Sequence, residues 1–141
     1  MDYNLILSAV QHILLTDEEL ENLLGEVRVV KGPRRPESWD GKNCFTCHVL
    51  SNPRDADFKT HNGTFRVNHY CPNYADGNAN VELMGKVTAR LTEILDDVKP
   101  DITGYEVYDW AVEEPLGPLF DAQAPGEHYS SLSVSFFIKK E

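Results

Sequence analysis

A strict two-residue alternation between residues 129 and 139 constrains the fold of this chain more than any other feature. The apolar residues at every second position are Leu132, Val134, Phe136 and Ile138, and the serines between them are Ser131, Ser133 and Ser135. Successive side chains of a β-strand point to opposite faces. The pattern therefore predicts a strand from Tyr129 to Lys139, with one face against a hydrophobic core and one polar face.

Two other segments repeat apolar residues every three or four positions, which is the spacing of an amphipathic helix. The first runs from Asp2 to Leu15, and the second runs from Tyr74 to about Val98. Between them, Thr16 and Glu19 match a capping box, in which each side chain satisfies a free backbone N–H at the start of a helix. This match predicts a short additional helix that ends at Gly25.

The remaining strands are predicted from runs of β-branched and aromatic residues bounded by Gly, Pro, Asn and Asp. They are Val27–Lys31, Asn43–Leu50, Thr64–Cys71 and Ile102–Glu113, and the polar segment between the second and third predicts a hairpin with an extended tip. The element order is α-β-β-β-α-β-β. This order favours one α+β domain over residues 1–141, with an antiparallel or mixed sheet of about five strands and two main helices packed on one face.

The predicted strand Ile102–Glu113 breaks the simple alternation and leaves two interpretations open. In a regular strand its apolar side chains would point to both faces, with Tyr105 and Val107 on one and Tyr108, Trp110 and Val112 on the other. A β-bulge, which inserts one extra residue and reverses the alternation, would place them on one face. Alternatively both faces are covered, and the face without helices packs on a neighbouring subunit.

The charge of the chain disfavours direct binding of nucleic acid. The formal net charge is -10, with 23 acidic and 13 basic side chains, whereas affinity for nucleic acid comes largely from Lys and Arg contacts with phosphates. The apolar run Leu5–Leu15 has no basic region before it, so no export signal is predicted. With three cysteines and no apolar run near 20 residues, we expect no membrane span and a reducing cytoplasm as the site of synthesis.

A cluster of cysteine and histidine residues is the main candidate for chemistry. Residues 44–48 read C-F-T-C-H, the attachment pattern of c-type haem, but strand parity places Cys44 and Cys47 on opposite faces. Zinc is a stronger alternative, since Cys47, His69 and Cys71 share one face, although no fourth ligand accompanies them. The favoured interpretation is that the cysteines are small buried residues with His69 hydrogen-bonded nearby. We therefore expect no cofactor.

A catalytic function is not indicated by the other motifs. The serines at 130, 131, 133 and 135 lack a Gly-x-Ser-x-Gly elbow, and no glycine-rich phosphate loop is present. The sequence predicts a protein that is not an enzyme.

The segment from Glu114 to Asp121 reads E-P-L-G-P-L-F-D and is followed by G-E-H-Y at 126–129 and the serine-alternating strand. With this segment, the chain resembles the tail completion proteins of tailed phages with long non-contractile tails. Those proteins are short chains with an N-terminal helix, a strand leading into a Gly-Pro loop (here Val27 to Pro36), a strand pair, an amphipathic helix and two closing strands. The resemblance spans nearly the whole chain.

The resemblance implies a structural virion protein that forms a ring, commonly of six copies, at the head-proximal end of the tail tube. Such a ring contacts the tail tube protein, receives the head connector and lets DNA pass through its lumen without specific binding. It would be assembled in the host cytoplasm. The alternative is a non-catalytic adaptor or binding module of another kind, and a small zinc-binding protein using Cys47, His69 and Cys71 ranks behind it.

A closed ring requires two different surface patches on each subunit, which meet head to tail. Aromatic and apolar side chains are the candidates for these patches, and Arg and Trp in the Gly-Pro loop are candidates for docking, because both residue types are frequent in interface hot spots. The candidate interface residues are Tyr108 and Trp110 for one patch, Leu116, Leu119 and Phe120 for the other, and Arg34, Arg35 and Trp39 for the docking loop.

Overall fold

A computed structural model describes residues 3–51 and 59–141. The helices are α1 (Tyr3–Leu15), α2 (Glu18–Leu24) and α3 (Val81–Leu95), and a short 3-10 helix spans Glu37–Trp39. The strands are β1 (Val29–Lys31), β2 (Cys44–Ser51), β3 (Thr60–Pro72), β4 (Tyr105–Val112), β5 (Leu116–Phe120) and β6 (Glu127–Lys140). The predicted hairpin tip between β2 and β3 lies largely outside the described residues.

The strands form one mixed sheet with the order β1-β2-β3-β6-β4. β1 pairs parallel with β2, and the other pairs are antiparallel. β6 is the central strand: β3 runs along one of its edges from Thr60 to Pro72, while β4 and β5 follow one another along the other edge. The α+β class is confirmed: the described part of the chain has the two predicted main helices, the predicted short helix between them and a mixed sheet of six strands, one more than the five expected.

The unpredicted sixth strand, β5, contains residues that rarely form strands. Pro118 has no backbone N–H to donate to a ladder, and Gly117 has a φ of +150°, a value that residues with a side chain seldom adopt. A Cβ at position 117 would lie 2.7 Å from the Ser130 hydroxyl oxygen. β5 therefore depends on pairing with β6, which local propensity does not reveal.

The helix α3 begins at Val81 and not at Tyr74, as the apolar spacing suggested. A turn occupies the intervening residues, in which the Tyr74 backbone N–H donates to the Asn78 carbonyl at 2.9 Å. The Asn80 side chain then accepts a hydrogen bond from the Leu83 backbone N–H at 3.2 Å, which is the contact of an N-cap residue. The helix starts where its free N–H groups find this acceptor.

The N-cap of α2 is Asp17, so the predicted capping box at Thr16 and Glu19 is wrong. The Asp17 carboxylate accepts a hydrogen bond from the Leu20 backbone N–H at 2.9 Å. It also accepts two hydrogen bonds from Arg90 on α3, at 2.6 and 3.0 Å. Thr16 instead donates its hydroxyl to the His12 carbonyl. Asp17 is the cap in place of Thr16 because its carboxylate also binds Arg90 and so joins α2 to α3.

Replacing Asp17 by asparagine is expected to lower the free energy of unfolding by about 2 kcal/mol at neutral pH, since the variant loses the two-bond ion pair with Arg90, although asparagine still caps the helix. The Arg90 hydrogen bonds hold the pKa of Asp17 below its ordinary value. A depressed carboxyl pKa contributes stability that is present above about pH 4 and is lost as pH falls through the folded-state pKa. Urea unfolding at several pH values should therefore show the difference from wild type shrinking below about pH 4. Thr16→Ala is the control and should change stability little; an equal loss in both variants would contradict the role of Asp17.

The core lies between the helices and one face of the sheet. Its centre is an aromatic cluster in which the Phe65 ring lies 4.9 Å from Trp110 and 6.3 Å from Phe136, measured between centroids. The pairing of β4 with β6 shifts register between Val107 and Asp109, which is the predicted β-bulge. The bulge turns Trp110 to the same face as Val107, and both are buried. The bulge interpretation of this strand is confirmed, and the predicted position of Trp110 on the outer face is wrong.

Candidate assembly surface

The loop between β1 and β2 carries the three residues predicted to dock onto a partner. Arg34 is exposed, and Trp39 is partly buried on the 3-10 helix. The Arg35 side chain is only 13% exposed, and its guanidinium donates to the Glu127 carboxylate at 2.8 Å and lies 4.4 Å from the centroid of the Tyr70 ring. Arg35 therefore fastens this loop to the sheet, and Arg34 is the more accessible cation for a partner.

The second predicted patch lies on β5 and is accessible. Leu116 is 50% exposed and Phe120 is 58% exposed, whereas Leu119 is half-buried. Tyr108, on the preceding edge strand, is 48% exposed and packs 5.9 Å from the Phe137 ring on the face opposite the core. Because β4 and β5 follow one another along β6, these side chains lie along the same edge of the sheet, which we call the β4–β5 edge.

A groove separates β5 from α3. Its volume is about 550 Å³, and its walls include Val81 and Gly85 of α3 and Pro118 of β5. The Val81 side chain is 59% exposed. Exposed apolar side chains grouped along one edge are a common feature of protein interfaces.

The predicted cysteine and histidine residues lie where strand parity places them, but they do not assemble into a ligand set. The Cys47 thiol donates to the Val30 carbonyl and the Cys71 thiol to the Pro72 carbonyl. His69 stacks on Phe45 and lies 3.0 Å from the Asn43 side-chain oxygen. In residues 3–51 and 59–141, no group of three His, Cys, Asp or Glu side chains is placed to hold a metal ion.

Burial also sets the protonation of this cluster. It raises the pKa of the Cys47 and Cys71 thiols to about 11 and lowers the pKa of His69 to about 4. The two thiols are therefore protonated at neutral pH, whereas metal binding and nucleophilic attack use the thiolate. The interpretation of small buried cysteines beside a hydrogen-bonded histidine is confirmed.

A polar pocket on the outer face of the sheet, opposite the helices, was not predicted. Among its lining residues are His48 of β2, Arg66 and Asn68 of β3 and Ser131 of β6. The serine alternation of β6 and the polar residues of β3 were visible signals of a polar face. These side chains come together only through the register of β2, β3 and β6, which cannot be predicted from the local sequence.

Membrane insertion by a helix is not supported in the described part of the chain, where each helix is too short or too polar to cross a bilayer.

No known family profile matches the chain, and no curated protein matches it. Solved structures do match, and they share the α+β fold of this chain. One is a chain of the virion of the native gene transfer agent (GTA) particle, with a TM-score of 0.69 and 12% sequence identity over 95% of this chain and 94% of that chain. A second solved chain has a TM-score of 0.57 and 16% identity over 100% of this chain and 96% of its own length. The chain therefore has a fold that also occurs in a component of a virion particle.

Proposed function

We propose that this protein is a non-catalytic structural component of a phage-like virion, and specifically a tail completion protein. In this role it forms a ring of six copies at the head-proximal end of the tail tube. The observation that carries the proposal is the fold shared with a chain of the GTA virion over 95% of the present chain. The motif at 114–121 and the order of helices and strands support the finer assignment to tail completion.

The β4–β5 edge supplies one of the two patches that a ring interface requires. Leu116 and Phe120 expose about half or more of their side chains, and their burial against a neighbouring copy would contribute roughly 25 cal/mol per Å² of apolar surface. The tail tube protein and the head connector are the expected partners on the two ends of the ring. The exposed loop with Arg34 is the proposed docking element for one of them.

The acidic charge of the chain suits a ring through which DNA moves. A net charge of -10 per copy repels the phosphate backbone, so DNA would pass through the lumen without being held. The finished protein would reside in the virion, after assembly in the host cytoplasm.

The test is to measure the mass of the purified chain by light scattering and to image it by electron microscopy after mixing with tail tubes that lack their completion ring. We expect rings on one end of each tube. A double variant Leu116→Asp and Phe120→Asp should remain folded, because both side chains are exposed, but should lose ring formation. Leu15→Asp changes a similarly exposed side chain at the end of α1, which packs near β1 and β2, and serves as the control. A chain that stays monomeric at high concentration and never binds tube ends would instead support the adaptor alternative.

A further inference from the structure

The polar pocket on the outer face has the dimensions of a single side chain. It has a volume of about 180 Å³ and lies over β2, β3 and β6, beside β5. The strand register places His48 opposite Arg66, and Asn68 opposite Ser131. The four side chains are thus neighbours on one face, and we call their site the Arg66 pocket.

Each of the four side chains in the Arg66 pocket has a buried polar atom without a hydrogen-bond partner. These atoms are His48 Nδ1, Arg66 Nε, Asn68 Oδ1 and Ser131 Oγ. Asn68 is 8% exposed and Ser131 is 4% exposed. Buried polar atoms are normally hydrogen-bonded, and each one left unpaired costs about 1–3 kcal/mol. Four such atoms around one pocket indicate a site that a polar ligand completes.

The charge in the pocket comes from Arg66. Its Nη2 donates to the Ser133 hydroxyl at 3.3 Å, and the ion pairs among the described residues do not include it. Asp121, another lining residue, is exposed and accepts a hydrogen bond from the Gln123 backbone N–H at 2.9 Å. Burial and the charge of Arg66 lower the pKa of His48, so His48 is neutral at neutral pH. The guanidinium is therefore without a carboxylate partner in the described chain.

We propose that the Arg66 pocket binds a carboxylate side chain of a neighbouring copy of this chain. The carboxylate accepts hydrogen bonds from Arg66 Nε and the Ser131 hydroxyl, and a peptide N–H next to it donates to Asn68 Oδ1. A guanidinium hydrogen-bonded to a carboxylate is among the stronger polar contacts in proteins. This inference rests on the proposed ring, in which the pocket of one copy meets a different surface of the next.

Charge complementarity argues for a second copy as the occupant. The chain carries 23 acidic and 13 basic side chains, so the surface of a neighbouring copy presents carboxylates in excess. In the pocket, the Arg66 guanidinium presents the opposite charge, and Asp121 is the one acidic residue among the described residues that line it. Such pairing orients two acidic subunits that would otherwise repel one another.

Reversing the charge at position 66 tests this inference. Arg66→Glu is expected to raise the dissociation constant for self-association by about 30-fold or more, because it places a carboxylate against a carboxylate. Lys99→Glu makes the same charge change at an exposed position outside the pocket and should leave association within about twofold. Light scattering over a concentration series gives the constants, and circular dichroism establishes that both variants are folded. Equal association of the two variants would overturn the inference.

A second variant gives a readout that does not depend on loss of assembly. Arg66→Lys places a primary amine in the pocket, which a carbodiimide couples to a carboxylate in direct contact. With a mixture of ¹⁴N- and ¹⁵N-labelled chains, mass spectrometry should detect a mixed-isotope cross-link between position 66 and an Asp or Glu of another copy. Assembled chains with only same-isotope cross-links, or with none at position 66, would refute the neighbouring copy as the source of the carboxylate.

The two proposals fail in distinguishable ways. If rings form on tail tubes and the Arg66 variants assemble like wild type, the proposed function stands and the Arg66 pocket has no part in the interface. If the wild-type chain remains monomeric and does not bind tubes, both proposals are wrong.

Discussion

A Trp110→Ala variant is expected to lose about 3–5 kcal/mol of its free energy of unfolding, the range found when a large buried aromatic side chain is truncated. Trp110 is 1% exposed and contacts both Phe65 and Phe136. Its removal would leave a cavity at the centre of the aromatic cluster. Since small domains have only about 5–15 kcal/mol of stability in total, the variant should unfold at a much lower urea concentration, as followed by circular dichroism.

Tyr108→Ala is the matched control, because Tyr108 lies two residues away on the same strand but is 48% exposed. Its loss should cost less than about 1 kcal/mol. The pair separates the two interpretations of β4. If both variants lost the same stability, the bulge would not divide the strand into a core residue and a surface residue, and Trp110 would return as an interface candidate.

The elements that the sequence predicts well are those whose pattern persists over many residues. β6 alternates over its whole core-facing length, and α1 keeps its apolar spacing from Leu5 to Leu14. In both elements the buried face coincides with the regular spacing of apolar residues, every second residue in β6 and every third or fourth in α1. That spacing alone therefore identifies the element. The α+β class follows from the order of such elements.

The elements that the sequence misses depend on contacts between distant residues. β5 is a strand only because β6 extends past β4 and offers it a free edge. Asp17 is preferred to Thr16 as the cap because Arg90, 73 residues further along the chain, meets its carboxylate. Neither contact leaves a local signal, so tertiary structure overrides the motif in both places.

The candidate assembly surface likewise contains residues that the sequence predicts and residues whose role depends on tertiary contacts. Leu116 and Phe120 lie in a segment rich in Pro and Gly, and both are exposed, so a surface role for them is predictable from the sequence. The Arg66 pocket was missed because its side chains come from three strands whose register sets their convergence. Arg35 was named as a docking residue, but its ion pair with a residue 92 positions away gives it a structural contact that the loop sequence does not reveal.

The second large effect is expected at this ion pair. Arg35→Ala should lower the free energy of unfolding by about 3 kcal/mol, because it leaves the Glu127 carboxylate, 6% exposed, without its cation. Arg34→Ala removes the adjacent, exposed arginine and should change stability by less than about 0.5 kcal/mol. Urea unfolding of the two variants compares a buried pair with a solvated neighbour in the same loop.

A double variant determines whether the cost of Arg35→Ala comes from the orphaned carboxylate or from lost packing on Tyr70. If the carboxylate dominates, adding Glu127→Ala to Arg35→Ala should recover part of the stability, since no buried charge then remains unpaired. If the double variant loses as much as the sum of the two single variants, the ion pair contributes little and the stacking on Tyr70 fixes the loop. The same single variants can be tested for head-tail joining. If joining is lost in Arg34→Ala while its stability is unchanged, docking is assigned to Arg34. A loss confined to Arg35→Ala would instead follow from a displaced loop.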